Sequence, residues 1–367
     1  RNYNIYRGIM KVMLPKVLQL LKSPRAVMSV LTLAVLAIII FLSRHELVKA
    51  WNLFLHADLW LLFLLLPFQI IVYFAGGEMI FSYLREKNLI HHISRLEQTR
   101  IALELNLVNH IFPSGGVSGI SYTTWRMHKL GVSSARSTFA QVIRYVTGFL
   151  SLLVLLVIAV LALAIDGKVN RYIVAASFLL IIVVLALTFG LIFVFSSKRR
   201  MQMTAAKLSK FINTLVKIAT LGKKRRVMKS KKVEEFFVDM QDDFQDLSNH
   251  PKLLIKPMIW GTVYTVFDVA MFAVAFLSLG VFVNPAILMV GYGVAGLAAI
   301  VVFTPGGTGV YETIMIIFLS MAGTPPDLAI AGIILTRAIL LTGTIIFGYI
   351  FYQHALIKYG KPDDSQI

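Results

Sequence analysis

Cysteine is absent from all 367 residues, which excludes disulfides, thiolate metal sites and a cysteine nucleophile. No glycine-rich loop closing on Lys-Ser or Lys-Thr is present, so ATP hydrolysis by this chain is not expected. The eight histidines form no metal-ligand pattern. His91 and His92 are adjacent, point in different directions on a helix and read as interfacial. Nothing in the sequence asks for a cofactor. Charge is scarce too: Asp, Glu, Lys and Arg make up 15% of the chain, against about 25% in soluble domains. With 57% hydrophobic residues and a mean hydropathy of +0.77, the chain reads as an all-α integral membrane protein.

Apolar runs at 26–42, 58–76, 137–164, 172–196, 257–280 and 327–352 have about the 17 to 25 residues, or slightly more, that a helix needs to cross about 30 Å of hydrocarbon. Six spans are expected. The chain starts at Arg1, and the basic stretch at 1–25 followed by a span reads as a retained anchor rather than a cleaved signal. Basic residues in short loops stay on the cytoplasmic side. With both termini cytoplasmic, and with 101–121 returning to the side it entered from, 30 of the 36 Lys and Arg fall inside and four outside; the remaining two are Arg144 and Arg337. A single crossing by 101–121 would put the basic 197–256 segment outside. That stretch is too short for two crossings and suits a re-entrant helical hairpin broken at Pro113, Ser114, Gly115 and Gly116.

The motif recurs. Phe112-Pro113-Ser114-Gly115-Gly116, then Gly131 and Arg144, is answered by Phe303-Thr304-Pro305-Gly306-Gly307, then Gly323 and Arg337. Paired, Pro/Gly-interrupted apolar segments are the mark of transporters built from two related halves. By analogy 285–322 is a second re-entrant hairpin, entering from the opposite side, so that residues 26–196 and 257–352 form two membrane halves carrying an inverted repeat. Irregular backbone at this depth survives only when buried or lining a cavity, which makes Pro113, Gly115, Gly116, Pro305, Gly306 and Gly307 candidate substrate contacts. Gly291, Gly293 and Gly296 read instead as small residues for close helix packing.

Glu104, Arg144, Asp268, Glu312 and Arg337 are ionisable residues inside apolar segments. Such residues usually face a bundle interior and have partners. Arg144 and Arg337 occupy matching places, and their guanidinium groups suit two-point contact with phosphate oxygens. The competing reading has them pairing with Glu104, Asp268 or Glu312 to hold helices together. Asn109, Tyr264 and Asp268 are polar residues on otherwise apolar helices that either line the same cavity or pack.

Residues 198–232 carry 13 Lys and Arg, with Leu208, Phe211, Ile212, Leu215 and Ile218 at helical spacing. This predicts a basic amphipathic helix on the anionic cytoplasmic leaflet. An acidic one follows, with Glu234, Glu235, Asp239, Asp242, Asp243 and Asp246 among Phe236, Phe237, Met240, Phe244 and Leu247. The two are expected to pair as a hairpin over 197–256 that either anchors topology, gathers lipid headgroups or docks a lipid-synthesising enzyme. The net charge of +18 is accounted for by membrane orientation, so no nucleic-acid partner is expected. A tail at 353–367 closes the chain.

Asn109-His-Ile-Phe-Pro113-Ser-Gly-Gly116 with Arg126, Gly131 and Arg144, followed by Thr304-Pro-Gly-Gly-Thr-Gly-Val-Tyr-Glu312, resembles the two signatures of the lysylphosphatidylglycerol synthase transmembrane, or flippase-like, domain. The resemblance implies translocation of lipids, including aminoacylated phosphatidylglycerol, across the inner or plasma membrane. Two departures stand out. Val117, Ser118, Gly119, Ile120 and Ser121 follow the first glycines where an acidic residue is often found, and Ile143 precedes Arg144 where Glu is common. The family's soluble aminoacyl-transfer domain has no room before Ile367. The expectation is a non-enzymatic translocase for a phosphate-bearing lipid. A membrane-embedded transferase using Asp268 or Glu312 as base, or a scaffold for a separate enzyme, stands as the alternative.

Overall fold

The structure is a computed structural model that describes residues 55–111, 117–166, 171–197, 199–204, 230–301 and 309–359. The described residues are helical, without strands. The helices that build the molecule are α1 (Leu59–Glu86), α2 (Arg95–Ile111), α3 (Val117–His128), α4 (Ser134–Asp166), α5 (Arg171–Phe195), α6 (Ser230–Asn249), α7 (Ile255–Ser278), α8 (Pro285–Val301), α9 (Val310–Met321) and α10 (Pro326–Tyr359). Five of them, α1, α4, α5, α7 and α10, are long and apolar enough to cross a membrane. They answer to five of the six expected spans. The first, at 26–42, lies outside the described residues, as do most of the basic helix, Pro113, Gly115, Gly116, Pro305, Gly306 and Gly307.

The element order repeats. In the first unit α2 and α3 have 17 and 12 residues, and in the second α8 and α9 have 17 and 12. Each pair follows a long helix and precedes a longer one, α4 of 33 residues and α10 of 34. At 1.5 Å per residue, 12 residues reach about 18 Å and 17 about 26 Å, short of the hydrocarbon thickness. The turns repeat as well. α1 ends at Asn88 and α3 at Gly131, α7 at Gly280 and α9 at Gly323, all with positive φ. Each is followed by a residue whose N–H bonds back five positions: Leu89 to Leu84, Val132 to Met127, Val281 to Phe276 and Thr324 to Leu319. These are Schellman closures, which favour glycine because a side chain resists the left-handed conformation.

Packing follows the same symmetry. α1 lies along α7; α4 packs on α8 as α10 packs on α2; α1 meets α4 as α7 meets α10. The counterparts α1 and α7 run antiparallel: the Asp58 N–H at the start of α1 bonds the Ser278 carbonyl at the end of α7 at 2.7 Å, while Glu86 at the far end pairs with Lys256. Small residues set the close approaches. A Cβ on Gly348 of α10 would stand 2.7 Å from Leu107 Cβ and 2.9 Å from the Leu103 carbonyl of α2. Outward, Phe178, Leu179, Ile182, Phe189 and Phe193 of α5 are exposed, an apolar surface that fits a lipid-facing helix.

Helix bounds and the placement of α6 add to the sequence expectations; pairing of α6 with the basic stretch lies outside the described residues. The two helices over the stretch expected as a hairpin at 101–121 reach beyond it, α2 starting at Arg95 and α3 ending at His128. Their charged ends stay helical by pairing with one another, Arg126 with Glu97 and Glu104. α10 continues through 352 to Tyr359. The acidic helix α6 packs on the core: Met240 is buried against it and Phe244 stacks on Phe195 of α5 with ring centroids 6.3 Å apart. Its acids meet Lys87, just past α1, which pairs with Asp246 and lies 4.0 Å from Asp243. That hydrogen bond holds the Asp246 carboxyl below its usual range, while burial pushes Asp243 up.

Gly348→Leu should lower stability by about 1 to 3 kcal/mol through overpacking at backbone contact. Gly190→Ala on α5, where nothing lies within 4 Å, should leave the thermal midpoint in detergent unchanged or raise it. Equal midpoints for Gly348→Leu and the parent chain would contradict the α2–α10 contact.

Candidate functional site

A cavity of about 340 Å³ opens between the two repeated units. Asn109 comes from α2, Arg144 and Tyr145 from α4, Tyr264 and Asp268 from α7, Tyr292 and Gly296 from α8, Tyr311 from α9 and Arg337 from α10. Residues separated by most of the chain meet because α1 and α7 run side by side and bring α4 and α10 to opposite flanks. Arg144 is the eleventh residue of α4 and Arg337 the twelfth of α10, so the repeat delivers a guanidinium from each unit.

The two arginines do not share an environment. Arg337 Nε donates to Glu312 Oε1 at 2.6 Å, and its guanidinium sits 4.8 Å from the centre of the Tyr311 ring. Glu312 Oε2 accepts the Gly309 N–H at 2.5 Å, so one carboxylate both caps α9 and holds the arginine. Asp268 also acts on Arg337 and accepts a hydrogen bond from the Tyr292 hydroxyl. Arg144 has no carboxylate within ion-pair distance among the described residues. Its neighbours include Tyr264 and Gly76, where a Cβ would come 3.8 Å from the guanidinium and 3.3 Å from the Tyr264 ring. The cavity is therefore polarised, cationic on the Arg144 flank and acid-balanced on the Arg337 flank. Two buried polar atoms on its wall, Asn109 Oδ1 and the Tyr311 hydroxyl, have no hydrogen-bond partner among the described residues, a state that costs free energy unless another group, a ligand or water supplies one.

The model of the lysylphosphatidylglycerol synthase TM region matches residues 27–348. The chain belongs to this family. No curated protein matches it, and no solved structure does. Membership in the lysylphosphatidylglycerol synthase TM family, together with the five apolar spans, makes this a multi-pass membrane protein of a family linked to lipid handling.

Of the residues singled out in the sequence, Asn109, Arg144, Tyr264, Asp268 and Arg337 all line the cavity. Glu312 stands behind Arg337. Glu104 is not part of this group. It accepts hydrogen bonds from the Tyr122 hydroxyl at 2.9 Å and from Arg126 Nε at 3.2 Å, in a cluster where Arg126 also pairs with Glu97 and lies 4.1 Å from the Tyr359 ring. This cluster ties α2, α3 and the end of α10 together. Sequence reading left Arg126 without a role because it falls in a polar stretch, yet it is fully buried. Gly291 does pack closely, against Phe318 and Met315, and Gly293 against Leu180, but nothing lies within 4 Å of a Cβ on Gly296, which faces the cavity. Tyr292 and Tyr311 were also missed, although each is a tyrosine on an apolar helix like Tyr264 and carried the same signal.

Removing one partner of a buried pair leaves the other charge uncompensated, so Arg126→Met should cost about 3 to 5 kcal/mol. Adding Glu104→Gln should recover part of that loss in a thermal melt. A melt unaffected by Arg126→Met would refute the tie between α3 and α10.

Proposed function

We propose that the protein is a translocase for a lipid with a phosphate-bearing head, moving that head between leaflets through the cavity between the two units. The observation that carries this is the convergence of Arg144 and Arg337, one from each unit, on a single polar cavity enclosed by membrane-spanning helices. Intramembrane cations of this kind mark substrate pathways, and guanidinium groups match phosphate oxygens. Family membership supports the lipid class.

In this reading the short pairs α2–α3 and α8–α9 are re-entrant, and the two units are inverted. Support comes from their matching lengths, their matching turns and the antiparallel course of the counterparts α1 and α7. Together with the span expected at 26–42 the arrangement is six spans and two hairpins, in the cytoplasmic membrane with both termini inside. Rocking of one unit against the other then exposes a midplane site alternately to each side. The polar lining shelters the head while the acyl chains stay in lipid. Transport, not bond-making chemistry, is the activity. A membrane-embedded transferase would need a base set against a donor site; Asp268 and Glu312 are both engaged by Arg337. An enzyme partner docking through 197–256 is compatible with this reading.

The test is lipid movement in proteoliposomes, with headgroup-labelled anionic, aminoacylated and polyprenyl-phosphate lipids offered in turn. The parent chain should move one class and the double variant Arg144→Ala, Arg337→Ala should lose that movement. No movement of any class by folded protein, with ion gradients of either direction imposed, would remove the translocase reading.

A further inference from the structure

The repeat brings together two halves that differ at one functional position. α3 and α9 are both 12 residues long, and the third residue of α9 is Glu312, whereas the third residue of α3 is Gly119. Glu312 supplies the carboxylate that engages Arg337. At Gly119 there is no side chain, and a Cβ there would fall on the Asn109 side-chain amide. The fifteenth residue of α2 is Asn109, and that of α8 is Ala299. At these matching positions the second half has Ala299 and Glu312 where the first has Asn109 and Gly119. The first half thus carries no carboxylate at the place of Glu312, and Arg144 has none within ion-pair distance among the described residues.

We infer that Arg144 is the anion site of the cavity and that Glu312 is the second half's built-in substitute for that anion, so that the ligand phosphate binds Arg144 and not Arg337. This rests on the translocase reading only for the identity of the ligand's source. The chemistry is a phosphate oxyanion accepting from an intramembrane guanidinium. Coulomb attraction in a low-dielectric cavity favours the arginine without a carboxylate, and displacing Glu312 would cost both its ion pair with Arg337 and its cap on Gly309. The Asn109 amide, whose Oδ1 has no hydrogen-bond partner among the described residues, lines the same cavity and can meet a donor group of the head carried next to the phosphate. Two sources fit the chemistry: the phosphodiester of a lipid head, or free phosphate.

Equilibrium binding to the purified full chain in uncharged detergent tests this, with inorganic phosphate and dibutyl phosphate as probes. Dibutyl phosphate stands for the lipid diester and orthophosphate for the free ion, so their relative affinities identify the source. Arg144→Gln should weaken the preferred probe about tenfold or more, the range for a lost hydrogen bond to a charged group. Arg337→Gln should change affinity far less while lowering the melting midpoint. The double variant Asn109→Ala, Gly119→Glu rebuilds in the first half what the second half has. It should pair internally with Arg144 and bind as poorly as Arg144→Gln. Arg144→Gln keeps the test open if the double variant does not fold. Equal losses in the two arginine variants, parent-like binding by a folded double variant, or no binding of either probe by the parent chain would each overturn the inference. Lipid movement in the same preparations is read separately. Movement with the wrong binding pattern refutes the assignment to Arg144 alone, and the expected binding pattern with no movement refutes the translocase alone.

Discussion

The antiparallel contact of α1 with α7 carries everything else in the molecule, because it joins the two repeated units along nearly their full height. In lipid no hydrophobic force drives helices together, so close packing by small residues must do so. Gly76 of α1 lets the Tyr264 ring approach, and Gly261 of α7 lies against Ser151 Oγ of α4 and Met79 of α1. With that seam closed, α4 and α10 fall on opposite flanks, and each delivers its arginine to the same space. The cavity is a consequence of how two related units pack, and neither unit contains it alone.

Charge in hydrocarbon must be answered from within the protein. The structure does this in three separate ways. Arg126 is sealed between Glu97 and Glu104 and covered by Tyr359, so it holds α2, α3 and α10 as one body. Arg337 is held by Glu312, which in turn caps α9. Arg144 is left to the cavity. A guanidinium kept charged in that setting is tolerable only where the cavity admits water or an anion, which is why the asymmetry between the halves bears on function more than their likeness does.

The two units repeat their packing contacts as well as their helices. The α4–α8 and α10–α2 contacts are counterparts, and in the translocase reading they are the contacts that one unit rocking against the other would alter. The two sets of contacts are built from different side chains: Gly293 meets Leu180 and Leu152 near the first, and Gly348 meets Leu107 near the second. The units are therefore equivalent in architecture and unequal in detail, as an exchange between two states of similar energy requires.

Composition pointed to the membrane class, because a water-facing surface needs more charge than the 15% this chain carries. Long apolar runs gave the spans, and the duplicated Pro-Gly-Gly segments with their following glycines and arginines gave the repeat; Gly131 and Gly323 take the left-handed conformation that a side chain would oppose. Asn109, Tyr264 and Asp268 stood out because polarity on an apolar helix is expensive and seldom idle. Helix ends were misjudged where charged residues such as Arg95, Glu97 and Arg126 neutralise one another, since pairing across elements is invisible to a hydropathy count. Tertiary structure alone decided which acid meets which arginine. Glu104 went to Arg126, Glu312 to Arg337, and none among the described residues to Arg144, because these partnerships depend on the few ångströms between facing helices and not on spacing along the chain.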